Sequence, residues 1–211
     1  MIKRIAFILL FFQSVAALAQ FDSVPYSRDF EFREGFFQTV YHLKNNEPIP
    51  KASIISSYPK SQPDFMTQVM QAKYITYKDR DGIEQKVLTS TLWGYCQNRT
   101  IYINYNGEFS RLNVIGTLCH FIARKYTPVG YTDPMNYNYG INTSDEQHQF
   151  VLDTQADRIY DFTVSNMEIL LAGDPQLSSE FMLIKRRKRQ DFIFVYLRKF
   201  NERHPLYISV K

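Results

Sequence analysis

The chain has 211 residues, 45% of them hydrophobic and 16% aromatic, with 25 Lys and Arg against 21 Asp and Glu for a formal charge of +4. That apolar and aromatic content excludes a disordered chain, and the length suits one compact domain with a sizeable core.

At the N-terminus, basic Lys3 and Arg4 precede an apolar stretch over residues 5–19 that closes on Ala17, Leu18 and Ala19. Basic, apolar and small-residue regions in that order are those of a cleavable secretory signal. The stretch is broken by Gln13 and Ser14 and falls short of the ~20 apolar residues that cross a bilayer. The expectation is therefore a signal peptide over residues 1–19, a single domain over residues 20–211, and a secreted or periplasmic protein without a stable membrane anchor after processing. Removing Lys3 and Arg4 lowers the basic count from 25 to 23 against the same 21 acidic residues, so half of the apparent charge belongs to the signal.

Next, Gly35-Phe36-Phe37 reads as a short strand, and Thr39 as the cap of a brief helix that runs to Asn45 or Asn46 before Pro48 and Pro50. Residues 53–63 read as loop, residues 73–78 as a strand, and Asp81-Gly82 as a tight turn. Residues 87–96, 100–105 and 109–123 read as strands of an antiparallel meander, with Asn106-Gly107 suited to a type I′ hairpin. A further hairpin is expected over residues 147–153 and 158–164, where Tyr160, Phe162 and Val164 alternate.

The period then changes from two to three or four. Asp174 can cap a helix with Pro175 at its first position and Leu177, Phe181 and Ile184 on one face. Phe192, Ile193, Tyr196, Leu197 and Phe200 form a second helical stripe ended by His204-Pro205. Strands first and helices last predict an α+β domain, an antiparallel meander sheet with C-terminal helices packed on it.

Three blocks carry a family likeness: Gly35-Phe36-Phe37 with Leu43-Lys44-Asn45-Asn46-Glu47-Pro48, then Leu92-Trp93-Gly94-Tyr95 with Ile101-Tyr102-Ile103, and lastly Phe200-Asn201-Glu202-Arg203-His204-Pro205-Leu206-Tyr207. Together they resemble a family of uncharacterised secreted proteins, a domain of unknown function, from Bacteroidetes-type bacteria. The resemblance spans most of the chain after the signal. It implies an extracytoplasmic bacterial setting and brings no catalytic residues with it. Read without it, Trp93 is core, Gly94 allows a bulge or a close backbone approach, and residues 201–205 stop a helix.

No cofactor motif is present: there is no Gly-x-Ser-x-Gly elbow and no Gly-rich phosphate loop. Cys96 and Cys119 are the only thiols. An oxidising compartment permits a disulfide between them, and two cysteines in neighbouring strands serve equally as small buried apolar residues. Cys119-His120 is a poor nucleophile–base dyad, because adjacent strand residues point to opposite faces, and a lone Cys-His pair makes no tetrahedral metal site.

Asp145, Glu146 and His148 form the densest cluster of acid–base groups, and a small extracytoplasmic hydrolase built on them is the enzymatic alternative; the bland reading is a solvated acidic loop. Lys185, Arg186, Arg187, Lys188 and Arg189 could meet a polyanion or an anionic surface, although consecutive residues on a helix point in all directions. In a secreted protein, nucleic acid is not the expected partner. Residues 126–143 read as a long loop in which Tyr131, Tyr137, Tyr139, Asn136 and Asn138 suit contact with a glycan or another extracytoplasmic protein. The leading expectation is a non-enzymatic binding or structural module, using no metal and no cofactor.

Overall fold

The computed structural model describes residues 23–129 and 142–210, with side chains described outside residues 126–145. The signal peptide expected over residues 1–19 and the binding positions expected at Tyr131, Asn136, Tyr137, Asn138 and Tyr139 lie outside the described residues.

The chain enters at β1 (Ser23–Pro25), then β2 (Gly35–Phe37) and α1 (Val40–Lys44). Thr39 caps α1, its hydroxyl accepting from the His42 N–H at 3.4 Å. Next come β3 (Ile49–Pro50), β4 (Ile54–Ile55), α2 (Phe65–Met70), β5 (Tyr74–Lys78) and β6 (Glu84–Leu88). The meander comprises β7 (Gly94–Gln97), β8 (Thr100–Tyr105), β9 (Glu108–Val114), β10 (Leu118–Val129), β11 (Asn142–Asp153) and β12 (Arg158–Asp161). Helices α3 (Val164–Leu171), α4 (Pro175–Leu183) and α5 (Arg189–Arg203) follow, before β13 (Tyr207–Ser209) returns to pair with β1.

Eight strands make one antiparallel sheet in the order β12-β11-β10-β9-β8-β7-β2-β3, and β4, β5 and β6 make a second. This is the α+β arrangement expected from strands first and helices last.

The alternation of strand side chains sorts the core into three clusters. Phe37, Cys96, Cys119 and Phe150 lie on one face with Phe32, Leu43, Leu206 and Ile208. Their sequence neighbours lie in the other two clusters. Phe36 and Tyr95 pack with α2 and the small sheet, and Leu118 and Val151 pack with α3, α4 and α5. A register slip of one residue would exchange all of these pairs at once, so the register is strongly specified.

Several elements differ from the sequence reading for identifiable reasons. The strand expected over residues 87–96 is broken by a 3-10 turn at Thr89–Thr91. The Asn104 amide holds that turn, donating to the carbonyls of Ser90 at 3.0 Å and Leu92 at 2.9 Å. The strand expected over residues 109–123 is two strands separated at residues 115–117. Thr163 ends β12 early: its hydroxyl accepts from the Asn166 N–H and starts α3, so Val164 is helical rather than the end of an alternating strand. Gly94 makes the close approach, since a Cβ there would stand 2.1 Å from the Tyr102 carbonyl oxygen. Trp93 is half-buried rather than core, packing edge-on against Phe37 and donating to Asp157 at 3.3 Å. Asn106-Gly107 forms the expected turn, with φ of 53° and 88°.

β10 and β11 pair over their full lengths, from Leu118↔Asp153 to Val129↔Asn142. The β9 ladder meets β10 at His120 and Phe121, and β12 meets β11 over residues 150–153. Beyond these positions, apart from the Phe162 N–H that donates to the Gln149 carbonyl at 2.9 Å, the two strands continue as a two-stranded ribbon. Residues 126–129 and 142–143, expected in a loop, are therefore strand.

Cys96 and Cys119 sit on β7 and β10 with β8 and β9 between them, not on neighbouring strands, and both are free and buried. Three strand spacings along the sheet are about 14 Å, twice the Cα separation a disulfide tolerates. Burial pushes both thiols up to about 12, so neither offers a thiolate near neutrality. Of the two readings of these cysteines, the structure has the buried apolar one.

His120 occupies the face opposite Cys119, between the rings of Phe162 and Phe194 at 4.9 and 4.7 Å. Its Nε2 meets Gln149 Oε1 at 3.0 Å, whereas Nδ1 is buried without a partner. With Oε1 as acceptor, Nε2 carries the proton. A second proton would place an unmatched N–H in the core, and burial accordingly holds the imidazole below its ordinary value. The unfolded chain then binds the proton first as pH falls. The stability present above about pH 6.5 is lost as pH drops through the folded value, so urea unfolding should show a midpoint that declines below that pH. His120→Phe, which keeps the packing between two rings, should flatten this decline; an unchanged slope would show that His120 does not cause it.

Candidate functional site

A groove of about 790 Å³ opens where four separate parts of the chain meet: the segment after β1, the turn between β7 and β8, β9, and the C-terminal half of α5. Its floor is apolar, with Ile101, Leu112 and Leu206 all buried. Its wall carries Arg28, Arg99, Arg111 and Arg198, against one carboxylate, Glu202. All four arginines are exposed.

Each arginine is delivered by a different local device. Arg111 lies on β9, where its buried neighbour Leu112 fixes the register and so turns Arg111 outward. Arg198 lies on α5 directly after Leu197, which is fully buried against the sheet. Arg99 sits in a two-residue hairpin with φ of 61°, next to Asn98 at 49°, a left-handed conformation uncommon for a long side chain. This turn is pinned by Asn98, whose N–H donates to Glu34 Oε1 at 2.8 Å and whose amide donates to the Pro63 carbonyl at 3.0 Å. The bond from Asn98, and then that from Lys51, hold the Glu34 carboxyl below the usual carboxylate range.

Arg99 pairs with Glu31, which lies outside the groove lining. Arg28, Arg111 and Arg198 have no ion-pair partner among the described residues. Three unneutralised guanidiniums on a concave wall focus a positive field, and each can bind a carboxylate, phosphate or sulfate through two parallel N–H donors. Ser27, Thr100, Asn113 and Asn201 add neutral polar groups between them. The lining holds no His, Cys or Asp, and its titratable groups besides the arginines are Glu202 and Tyr26.

A family model matches residues 35–204, well over half of the sequence. The chain belongs to the family of unknown function DUF6563. The DUF6563 match takes in Arg99, Arg111 and Arg198 and stops short of Arg28. No curated protein and no solved structure matches the chain.

The structure distributes the other candidate residues differently from the sequence reading. Asp145, Glu146 and His148 lie on strand β11 rather than in a loop, opposite Tyr126, Lys125 and Ala123. Glu146 and His148, two apart on a strand, share a face of the ribbon with His148 Nε2 3.5 Å from the Glu146 carboxylate, and neither lines the groove. Among the described residues no group of three His, Cys, Asp or Glu side chains is placed to hold a metal.

The basic run divides in two. Lys185, Arg186, Arg187 and Lys188 are exposed around a 3-10 turn at Arg186–Lys188, whereas Arg189 is buried. Its guanidinium donates to the carbonyls of Ile184 at 3.0 Å and Met182 at 2.7 Å and pairs with Glu168. Arg189 therefore belongs to the fold, not to a polyanion surface.

Sequence reasoning missed the groove because its arginines are 28, 99, 111 and 198, each isolated between ordinary residues. The one local signal is the Gln97-Asn98-Arg99-Thr100 turn, where Asn98 advertises a left-handed position.

Proposed function

We propose that this chain is an extracytoplasmic binding module that holds an anionic ligand, an acidic glycan in the first instance, in the four-arginine groove. The observation that carries the reading is the meeting of Arg28, Arg111 and Arg198, none of them ion-paired among the described residues, around one apolar-floored depression of about 790 Å³. Such an arrangement costs self-repulsion in the absence of a ligand and recovers it when an anion binds. The extracytoplasmic setting rests on the signal-like order of Lys3, Arg4, residues 5–19 and the closing Ala17-Leu18-Ala19. A bacterial origin of the Bacteroidetes type rests on the resemblance of the three sequence blocks.

The test is retention on immobilised polygalacturonate and on heparin, with neutral dextran as the control. Wild-type protein should be retained by the acidic polymers and released as salt rises, because screening weakens each contact. Removal of any one of Arg28, Arg111 or Arg198 to Ala should weaken binding about tenfold, as expected for a charge-assisted hydrogen bond. The triple variant should lose retention while keeping its unfolding midpoint. Full retention of a folded triple variant would show that the groove is not the binding site.

A further inference from the structure

The corner between α4 and α5 presents two kinds of surface together. Leu183 is 87% exposed and Met182 50%, at the end of α4, and Phe192 is 40% exposed one turn into α5. Between them stand Lys185, Arg186, Arg187 and Lys188, all exposed and without an ion-pair partner among the described residues. Asp191 is the one carboxylate between residues 182 and 192. Of the nearby acids, Glu168 is engaged by Arg189 and Glu180 by Lys199 at 3.3 Å.

This corner is held in place rather than free to fold its apolar groups inward. Arg189 clamps the carbonyls of Met182 and Ile184 from inside, and Phe181, directly before them, is fully buried. With Phe181 turned in, Met182 and Leu183 are turned out. The 3-10 turn then carries four cations beside them.

From this juxtaposition of outward apolar tips and unpaired cations on a braced turn, we infer that the corner docks on the surface of an anionic lipid bilayer. A bilayer interface offers the matching order of chemistry, negative headgroups above apolar chains, so the cations meet headgroups while Leu183 and Met182 reach the acyl boundary. A soluble polyanion satisfies the four cations and leaves Leu183 in water. The inference is independent of the groove, whose lining shares no residue with this corner.

Full-length Leu183→Trp protein provides a local reporter, because this side chain packs on nothing that the substitution would disturb. With vesicles containing 30% phosphatidylglycerol its emission should shift to the blue relative to a wild-type control that reports Trp93 alone. Pure phosphatidylcholine vesicles and soluble heparin should leave it unshifted. Adding Lys185→Gln, Arg186→Gln, Arg187→Gln and Lys188→Gln should reduce vesicle affinity at least tenfold, and raising salt should do the same. In a separate protein, Met182→Ser with Phe192→Ser should weaken vesicle binding without changing heparin retention. Arg28→Ala, Arg111→Ala and Arg198→Ala together should leave the shift intact. No shift with anionic vesicles, an equal shift with neutral ones, or a shift with heparin that matches that with vesicles would each overturn lipid docking, the last in favour of a soluble polyanion.

Discussion

Arg189→Ala should destabilise the domain by about 2–4 kcal/mol, whereas neutralising Lys185, Arg186, Arg187 and Lys188 together should change stability by less than about 1 kcal/mol. The contrast follows from burial. Arg189 spends its donors on the carbonyls of Ile184 and Met182 and on Glu168, with its guanidinium carbon 5.9 Å from the Phe181 ring centre. Alanine leaves those acceptors unmatched at the junction of α3, α4 and α5 and opens a cavity beside Phe181. Lysine at this position restores a charge but not the planar fork, so Arg189→Lys should recover only part of the loss. Urea unfolding monitored by circular dichroism measures all three variants. A loss below about 0.5 kcal/mol for Arg189→Ala would mean that water satisfies the carbonyls unaided, and the clamp that braces the α4–α5 corner would have to be abandoned with it.

The fold was legible wherever a local rule and the tertiary requirement coincide. Asp174 is such a case: its carboxylate caps α4 by accepting from the Leu177 N–H at 2.9 Å, with Pro175 at the first helical position. The meander was legible from apolar alternation and from Asn106-Gly107. What escaped was set by distant partners. The break at Thr89–Thr91 depends on Asn104, and the break after Val114 depends on the clearance that Gly116 gives to Asn201. In each case the partner, Asn104 or Asn201, lies outside the segment that is interrupted.

The candidate site was less legible for a related reason. A run such as Lys185-Arg186-Arg187-Lys188-Arg189 draws the eye because its charge is contiguous, yet one of the five is a core residue. The groove arginines are scattered over the sequence and become a site only when the segment after β1, the β7–β8 turn, β9 and α5 converge. The ribbon of β10 and β11 shows the converse: Asp145, Glu146 and His148 are close in sequence, and the strand puts Glu146 and His148 on one face of the ribbon, away from the groove lining.

Asn201→Ala should cost about 2–3 kcal/mol, because Asn201 completes the sheet where β9 has ended. Leu118 opens β10 and pairs with Asp153 of β11 on one side. On its other side the β9 ladder begins only at His120, and the Asn201 side chain stands in for the missing strand. Its Oδ1 accepts from the Leu118 N–H and its Nδ2 donates to the Leu118 carbonyl, both at 2.8 Å. Thr117 ties the same junction to the end of α5, its hydroxyl donating to the His204 carbonyl at 2.6 Å. At about 2–4 °C per kcal/mol, the loss should lower the melting temperature by about 4–12 °C. A second substitution tests whether the bracket itself is responsible. A Cβ at Gly116 would stand 2.4 Å from the Asn201 amide, so Gly116→Ala should displace that side chain and break the same two bonds. Once Asn201 is already alanine, the added methyl meets no amide, and Gly116→Ala should cost much less than it does in the wild type. Strictly additive losses in this cycle would show that Gly116 and Asn201 act separately and that the sheet does not depend on a side chain to finish its ladder.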